Sequence, residues 1–372
     1  MTETRTLQQV KGGTYTVSIP REWAEARGVE AGEPIAFHRR PDGSLLVRST
    51  DPADRPLAFT RIVVAGADES DDDSDGTDDI VRRLRSAYVA GYERIVVEPP
   101  PGDGTKGTTS TASISDGTRR AVRSMARGSI GITLDIEADD RIVLREVTDA
   151  GTAPFAEWIR RLRRLSASTQ AEAVESILDG VSEPSAPPSL DHVASNREDR
   201  TRLVDAITRY VTRALADPDV FDRLGFDCRR LVGYALIAHE LDRIADDVVA
   251  LHHGCAHVDL GTCSPSESFV ETADRLTEDA HHALERAVIA VTGSIDANTS
   301  TPSHGRSDHA IAAIETRDRV LDRVGALRDA LRSGSSTRSD YRATCALGVL
   351  VKTVECAARI ATLGIHDRES DV

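Results

Sequence analysis

The N-terminal part of the chain carries its most informative stretch, GGTYTVSIPREWAEARGVEAGEPIAFHRRPDGSLLV at residues 12–47. Branched, aromatic and hydroxyl residues alternate over 14–19, which predicts a strand. Pro20 follows this strand, and proline suits the first position of a helix because its missing N–H costs nothing there. We therefore predict a short helix that starts at Pro20 and stops at Gly28, a residue that favours the left-handed helix end.

The second half of the stretch predicts a hairpin. PIAFHR and SLLVRS are two short apolar-rich runs, and Asp42-Gly43 between them favours a tight turn. A strand, a short helix and one hairpin within residues 1–50 offer too little surface to close a hydrophobic core. We therefore predict that this segment, called the head below, forms a homodimer with a second copy of the chain.

The head resembles the AbrB/SpoVT/MazE looped-hinge family over nearly its whole length. The resemblance is carried by Val17, Ile19, Pro20, Gly28, Gly32, Asp42 and Gly43. It implies that two chains interlock their hairpins into one barrel that binds DNA. Where DNA-binding members of the family have arginines around the proline, this sequence has Thr16, Ala24 and Glu25. The DNA contacts are therefore predicted from charge alone, at Arg5, Lys11, Arg21, Arg27, Arg39 and Arg40.

The charge distribution also sets the head apart. Residues 1–50 hold seven basic and six acidic side chains, whereas the whole chain has a formal net charge of −15. A nearly neutral segment on an acidic chain is where a polyanion such as DNA is tolerated. Only three of the 46 basic residues are lysine. This composition resembles that of proteins from archaea that keep high internal salt, and GC-rich codon usage is the alternative explanation.

Length and composition restrict the class of protein. A chain of 372 residues predicts two to four domains. No run is apolar enough to insert into a membrane, and the N-terminus lacks the apolar core of a signal peptide. Five cysteines without a secretion signal favour reduced thiols and a cytoplasmic location. Because no nucleophile–base constellation or catalytic carboxylate pair stands out, we predict that the protein is not an enzyme.

Residues 58–148 are predicted to form a small α/β domain. RIVVAG, ERIVVEP, IGITLDIE and RIVLREV have the composition of strands, and IVRRLRSAYVAG and SDGTRRAVRSMARG that of helices. The acidic run DESDDDSDGTDD is predicted to be a polar linker. The pattern does not indicate what this domain binds.

From Pro154 onward the apolar residues recur with helical periodicity, beginning at Phe155, Trp158 and Ile159. Six helices are predicted at about 153–179, 188–216, 227–253, 264–292, 307–332 and 338–366. Ser264-Pro265-Ser266-Glu267 has the pattern of a capping box for the fourth helix. DRIAD at 242–246 is echoed by ARIAT at 358–362, which indicates a repeat. We predict two tandem three-helix bundles, at 153–260 and 264–368, within a multidomain α+β protein.

This second half resembles the PhoU family. The resemblance is carried by LRRLSASTQAEAVESILDG, ALADPDVFDRLGFD and LDRIADDVV. A swapped-hairpin head, a small α/β domain and a PhoU-like body together resemble archaeal phosphate-uptake regulators. The resemblance implies a transcriptional regulator of phosphate uptake whose head binds promoter DNA. The alternative is an adaptor that contacts phosphate transporter components, with a head that serves only dimerisation.

The resemblance also implies a metal site. Members of the family can bind a divalent or iron-type ion through acid-x-x-x-acid pairs, because carboxylates at i and i+4 project from one helix face. The candidate ligands here are Asp242 with Asp246 and Asp318 with Asp322. The corresponding pairs on the partner helices are absent, since arginine, alanine and threonine occupy those positions. Chance spacing or salt bridging is the alternative explanation for the aspartates.

The string HHGCAHVDLGTC is a second candidate metal site. It places His252, His253, Cys255, His257 and Cys263 close enough to hold zinc, although their spacing matches no standard finger. A solvated loop that has accumulated histidines is the alternative. Cys345 and Cys356 are predicted to be small core residues that are too far apart on one helix to bond to each other.

Overall fold

The computed structural model describes residues 4–10, 12–40, 43–50, 57–64, 73–100, 113–179, 191–256, 266–293, 303–333 and 339–365. Three parts follow one another along the chain: the head, an α/β module and a helical body. Within the ranges given, none of the helices combines the length and apolar character that a membrane crossing requires.

The head consists of two antiparallel strand pairs and one short helix. The strands are β1 (Gln8–Val10), β2 (Thr14–Thr16), β3 (Ile35–Arg39) and β4 (Leu45–Ser49), and the helix is α1 (Arg21–Ala26). The predicted helix and the predicted hairpin are confirmed. Gly28 and Gly43 have positive φ angles of 62° and 81°, as the predicted helix end and turn require.

Three details of the head differ from the prediction. The strand β1, which pairs with β2, was not predicted, because three residues are too few for strand alternation to be recognised. β2 ends at Thr16 rather than at residue 19. Pro20 has an extended backbone (ψ 132°) and precedes the helix, so that Arg21 is the first helical residue.

Within its described residues the head has no buried side chain. Phe37 and Leu45 are each 55% exposed, although both are large and apolar. In the register of the hairpin, Phe37 lies opposite Val47, and Arg39 lies opposite Leu45. These four side chains therefore share one face of β3 and β4, called the open face below. A single chain leaves this face uncovered.

The α/β module contains one four-stranded sheet in the order β5-β6-β8-β7. Its elements are β5 (Phe59–Val63), α2 (Asp73–Ala90), β6 (Arg94–Glu98), α3 (Asp116–Gly128), β7 (Ile132–Glu137) and β8 (Ile142–Glu146). β5 and β6 are parallel, and the other neighbours are antiparallel. The predicted strands and helices are confirmed, but α2 begins inside the acidic run that was predicted to be a linker. The core is formed by apolar residues of both layers, including Leu84, Ile95, Val122 and Leu144.

In its described residues the helical body contains the six predicted long helices and a short seventh α-helix. The long helices are α4 (Phe155–Asp179), α5 (Asp191–Ala216), α7 (Cys228–Ala256), α8 (Glu267–Thr292), α9 (Ser303–Ser333) and α10 (Ser339–Ile365). The cap of α8 is Ser266 rather than Ser264, because the Ser266 hydroxyl accepts a hydrogen bond from the Phe269 N–H.

The short helix α6 (Pro218–Leu224) was not predicted. The Asp217 carboxylate caps it by accepting a hydrogen bond from the Asp219 N–H at 3.0 Å, and Gly225 ends it with a φ of 66°. Aspartate before proline at the start and glycine at the end are the usual signals of a helix. The sequence therefore contained the information that was needed to find it.

The long helices pack in two groups. α4, α5 and α7 contact one another, and so do α8, α9 and α10. α10 also packs along α7 and α4, so the buried side chains of both groups form one continuous core. Stacked rings lie inside the first group, with Phe155 on Tyr234 and Trp158 on Tyr210. The domain boundaries at 153–260 and 264–368 remain predictions.

One disulfide crosses between the two groups. Cys255 of α7 and Cys345 of α10 are bonded, with their Cα atoms 6.8 Å apart. The prediction of reduced thiols is therefore wrong for this pair, and Cys345 is not a simple core residue. The packing of α10 on α7, which the spacing of cysteines along the chain does not reveal, brings the two together. Cys228 and Cys356 are free, and Cys263 lies outside the described residues. The predicted cytoplasmic location loses its support from the cysteines.

Candidate nucleic-acid interface and its connection to the body

Arg21 is a highly exposed member of the set of basic side chains predicted to contact DNA. It lies at the start of α1 with 88% of its side chain exposed, and its Nε donates to the Glu25 carboxylate at 2.6 Å. Glu25 occupies a position where the resemblance led us to look for arginine. The Arg21 guanidinium stays accessible to a ligand, but the Glu25 carboxylate neutralises part of its charge.

Two other predicted contacts lie elsewhere on the head, and a third is not among the described residues. Arg5 is exposed before β1, and Arg39 is exposed on the open face beside Leu45. Lys11 lies outside the described residues, but it is bounded by Val10 at the end of β1 and by Gly12. The structure therefore does not bring the five described members of this set together on one surface.

Arg27 and Arg40 lie where the head meets the body. They line a crevice of about 380 Å³ together with β4 and with Leu215, Ala216 and Pro218 of the body. The Arg40 guanidinium lies 5.9 Å from the centre of the Phe221 ring of α6. These two arginines consequently face the helical body in a single chain.

A histidine that was not among the predicted contacts, His38, also lies at the seam, the contact region between the head and the body. His38 Nδ1 lies 3.3 Å from the Asp222 carboxylate and 3.7 Å from that of Asp219, and only 11% of its side chain is exposed. Arg48 approaches Asp217 at 3.8 Å. His38 and Arg48 lie on the face of the hairpin opposite to the open face. One face of the hairpin thus contacts α6, and the other is uncovered.

The α/β module is joined to the body by a buried arginine, Arg209 of α5. Its side chain has no exposed surface, and it donates to the carbonyl oxygens of Tyr88 at 2.7 Å and Tyr92 at 2.9 Å. Its guanidinium also lies over the Tyr88 ring at 4.9 Å and 3.4 Å from the Glu146 carboxylate. Burial lowers the pKa of the Arg209 guanidinium below its ordinary value.

Two further arginines reinforce this junction. Arg213 pairs with Glu93 at 2.9 Å and with Glu146. Arg85 of α2 binds the two Asp205 oxygens at 2.7 and 2.9 Å, and this hydrogen bonding raises the pKa of Arg85. The backbones also approach closely, because a Cβ at Gly131 would collide with the Tyr210 hydroxyl. The module and the body are therefore held together by several specific contacts.

Replacing Arg209 is expected to destabilise the protein strongly. Arg209→Ala removes a donor from the Tyr88 and Tyr92 carbonyl groups and one of the two arginines that pair with Glu146, and breaking a buried pair of this kind costs about 3–5 kcal/mol. The measurement is the free energy of unfolding by chemical denaturation. Arg202→Ala is the control, because Arg202 is an exposed arginine of the same helix. Equal stability of the two variants would contradict this account of the junction.

The two aspartate pairs predicted to bind metal have basic neighbours. Buried Arg200 donates from Nε to Asp242 at 3.1 Å and from Nη2 to Asp246 at 2.7 Å. This guanidinium supplies to the first pair the positive charge that a metal ion was predicted to supply. In the second pair, Asp318 binds the adjacent Arg317 at 2.6 Å. Within the described part of the chain, no three acidic, histidine or cysteine side chains cluster as ligands. Metal binding stays a prediction.

Elemental analysis of the purified protein tests the metal prediction. If the aspartates are ligands, we expect the purified protein to carry metal and Asp242→Ala with Asp318→Ala to lose it. Wild-type protein without metal would show that both pairs act only as partners of arginines.

The predicted zinc cluster does not form as envisaged. Cys255 is committed to the disulfide and cannot be a thiolate ligand, and His257 and Cys263 lie outside the described residues. His252 is buried, and its Nε2 lies 2.9 Å from the Ser176 hydroxyl. Burial and the neighbouring His253 lower the pKa of His252. This serine–histidine contact was missed, because 76 residues separate the two side chains in sequence.

The head is similar to a known family. Residues 8–54 match the family model described as antidote-toxin recognition MazE, bacterial antitoxin. The match spans β1 to β4 and supports a MazE/AbrB-like head, a class of domain that binds DNA and dimerises. No curated protein and no solved structure matches the chain.

Proposed function

We propose that the protein is a DNA-binding transcriptional regulator of phosphate uptake that acts as a homodimer. The observation that carries the DNA-binding part is the match of residues 8–54 to the MazE family. The uncovered face of the hairpin supports dimerisation, because Phe37 and Leu45 are exposed in a single chain and a second copy would bury them. The PhoU-like sequence features of the body support the link to phosphate.

DNA binding by this head has to depend on few charges. The described basic residues do not form one surface, and the chain as a whole is acidic. In concentrated salt the gain from counterion release is small, so close geometry and base or shape contacts have to contribute more. A dimer presents each basic group twice. Arg21 is the first residue of α1, and in sequence Lys11 falls between β1 and β2.

Contacts made by α6 connect the body directly to the head. α6 holds the head through Asp219 and Asp222 on His38, and α5, which precedes α6, anchors the α/β module through Arg209. A shift of α5 or α6 would change the position of the head and of Arg27 and Arg40 in the crevice. We propose that a signal received by the body alters DNA binding through the contacts of α5 and α6.

The alternative is an adaptor of phosphate transporter components. It is favoured by the position of Arg27 and Arg40 at the seam with the body, and by the balancing of Arg21 by Glu25. In that case the head would dimerise without reading DNA. Both proposals predict a dimer. The regulator binds promoters, whereas the adaptor contacts transporter components and binds no promoter.

Chromatin immunoprecipitation of the tagged full chain at high and low phosphate separates the two proposals. The regulator is expected to enrich promoters of phosphate-transport genes, with an occupancy that changes with phosphate. Enrichment only at unrelated promoters would contradict the phosphate role and keep the DNA-binding role. An absence of promoter enrichment in both conditions would favour the adaptor.

A further inference from the structure

A cleft of about 600 Å³ opens where the two helix groups meet. It lies between the first turns of α7, the last turns of α8 and α10 and the start of α9. Cavities of this size are typical of sites for small ligands. None of the DNA, metal or zinc candidate residues lines it.

The walls of the cleft are mainly apolar. Val232 and Leu236 of α7 face it and are 36% and 44% exposed, a high value for large aliphatic side chains on a packed helix. Val291 of α8 and Leu363 of α10 also line it. α8 and α10 touch closely here, since a Cβ at Gly364 would come within 2.9 Å of Ala290. The close packing of the two helices makes this part of the cleft rigid.

The polar lining is positive in a chain that is strongly acidic. Among the described lining residues, Arg229, Arg230 and Arg306 face one acidic residue, Asp227. The Asp227 carboxylate accepts a hydrogen bond from the Arg230 N–H at 2.7 Å and thus caps α7. Among the described residues, the cleft therefore combines an apolar wall with three arginines and one aspartate.

Arg230 is held in a fixed orientation. Its guanidinium lies 4.9 Å from the centre of the Phe226 ring, and its Nη2 donates to the Thr292 carbonyl at 2.8 Å. The positive end of α7, a helix of 29 residues, points to the same region. A charge that is already oriented binds an anion without a further ordering cost.

We infer that this cleft binds a small amphipathic anion, such as a medium-chain carboxylate. The anionic head lies at the arginines, and the apolar chain covers Val232 and Leu236. The ligand contacts α7 of the first helix group and α8 and α10 of the second. Its affinity therefore depends on the relative position of the two helix groups. The inference depends on the cleft alone and holds whether or not the head binds DNA.

Calorimetric titration of the full chain with dodecanoate, below its micelle concentration, tests the inference. Dodecyltrimethylammonium is the matched probe with the same chain and the opposite charge. A protein with a net charge of −15 attracts the cation in general, so preference for dodecanoate is expected only from the cleft. Absence of dodecanoate binding, or equal binding of the two probes, would overturn the inference.

Variants locate the binding. Leu236→Trp, which fills the cleft, and Arg229→Glu, which reverses a charge at its rim, are each expected to weaken dodecanoate binding about tenfold or more. Ile311→Trp and Arg275→Glu are the matched controls, because both side chains are exposed and neither lines the cleft. An equal loss of affinity in the controls would show that binding is not at this site.

Cys228 offers a test that needs no substitution. It is a free, exposed cysteine in the cleft lining, and Cys356 is buried. Saturating dodecanoate is expected to slow alkylation of Cys228 about fivefold or more, as measured on the isolated peptide by mass spectrometry. An unchanged rate at a concentration that saturates the calorimetric signal would place the ligand elsewhere.

Discussion

Removal of residues 1–50 is expected to convert the dimer into a monomer. Within its described residues the head buries no side chain in a single chain, and β1–β2 and β3–β4 are separate two-stranded pairs. Isolated hairpins of this size are marginally stable in water, so the head depends on a partner surface. The mass measured by light scattering tests this expectation. An unchanged dimer would show that the body assembles by itself.

Two substitutions on the open face make the same test without a deletion. Phe37→Asp with Leu45→Asp removes two apolar side chains that dimerisation would bury, at about 1.5–3 kcal/mol each. The dimer dissociation constant is therefore expected to rise about 100-fold or more. Ile136→Asp is the control, because Ile136 is equally apolar and 47% exposed but belongs to the α/β module. If only the control dissociated, the dimer interface would lie on that module.

Most of the secondary structure could be predicted from the sequence, because each long helix repeats its apolar pattern over 25 residues or more. The same holds for the α/β module, whose strands are short apolar runs between polar turns. β1 was missed because three residues are too few to show a period. α6 was missed although Asp217, Pro218 and Gly225 mark its ends.

The contacts between distant segments could not be predicted in this way. Arg209 looks like any other arginine of α5, and its burial depends on the Tyr88 carbonyl, which is 121 residues away. The Cys255–Cys345 disulfide likewise depends on the packing of α7 on α10. His38 gained its role only because α6, an unpredicted helix, presents Asp219 and Asp222 to it.

The candidate DNA residues illustrate a second limit. Charge alone selected Arg27 and Arg40 together with Arg21, but charge does not reveal which side of the hairpin faces the body. The structure places Arg27 and Arg40 at the seam and leaves Arg21 at the exposed start of α1. Arg21 therefore stays a candidate DNA contact, and Lys11, which lies outside the described residues, is tested with it on the ground of its charge.

Reversing both charges is expected to abolish promoter binding. Lys11→Glu with Arg21→Glu changes the head of a dimer by eight charge units, since each chain contributes two reversals of two units each. The loss of each basic group that neutralises a DNA phosphate lowers the affinity for DNA and also the dependence of that affinity on salt. Arg275→Glu with Arg332→Glu is the matched control, because it makes the same change of charge at exposed positions on α8 and α9.

The most direct test of the account is the affinity of the full chain for an immunoprecipitated promoter fragment, measured by fluorescence anisotropy over a range of salt. The account predicts that Lys11→Glu with Arg21→Glu weakens binding about 100-fold or more, with the dimer intact by light scattering and the control unaffected. Wild-type affinity in that double variant would contradict DNA recognition through Lys11 and Arg21 and would favour the adaptor.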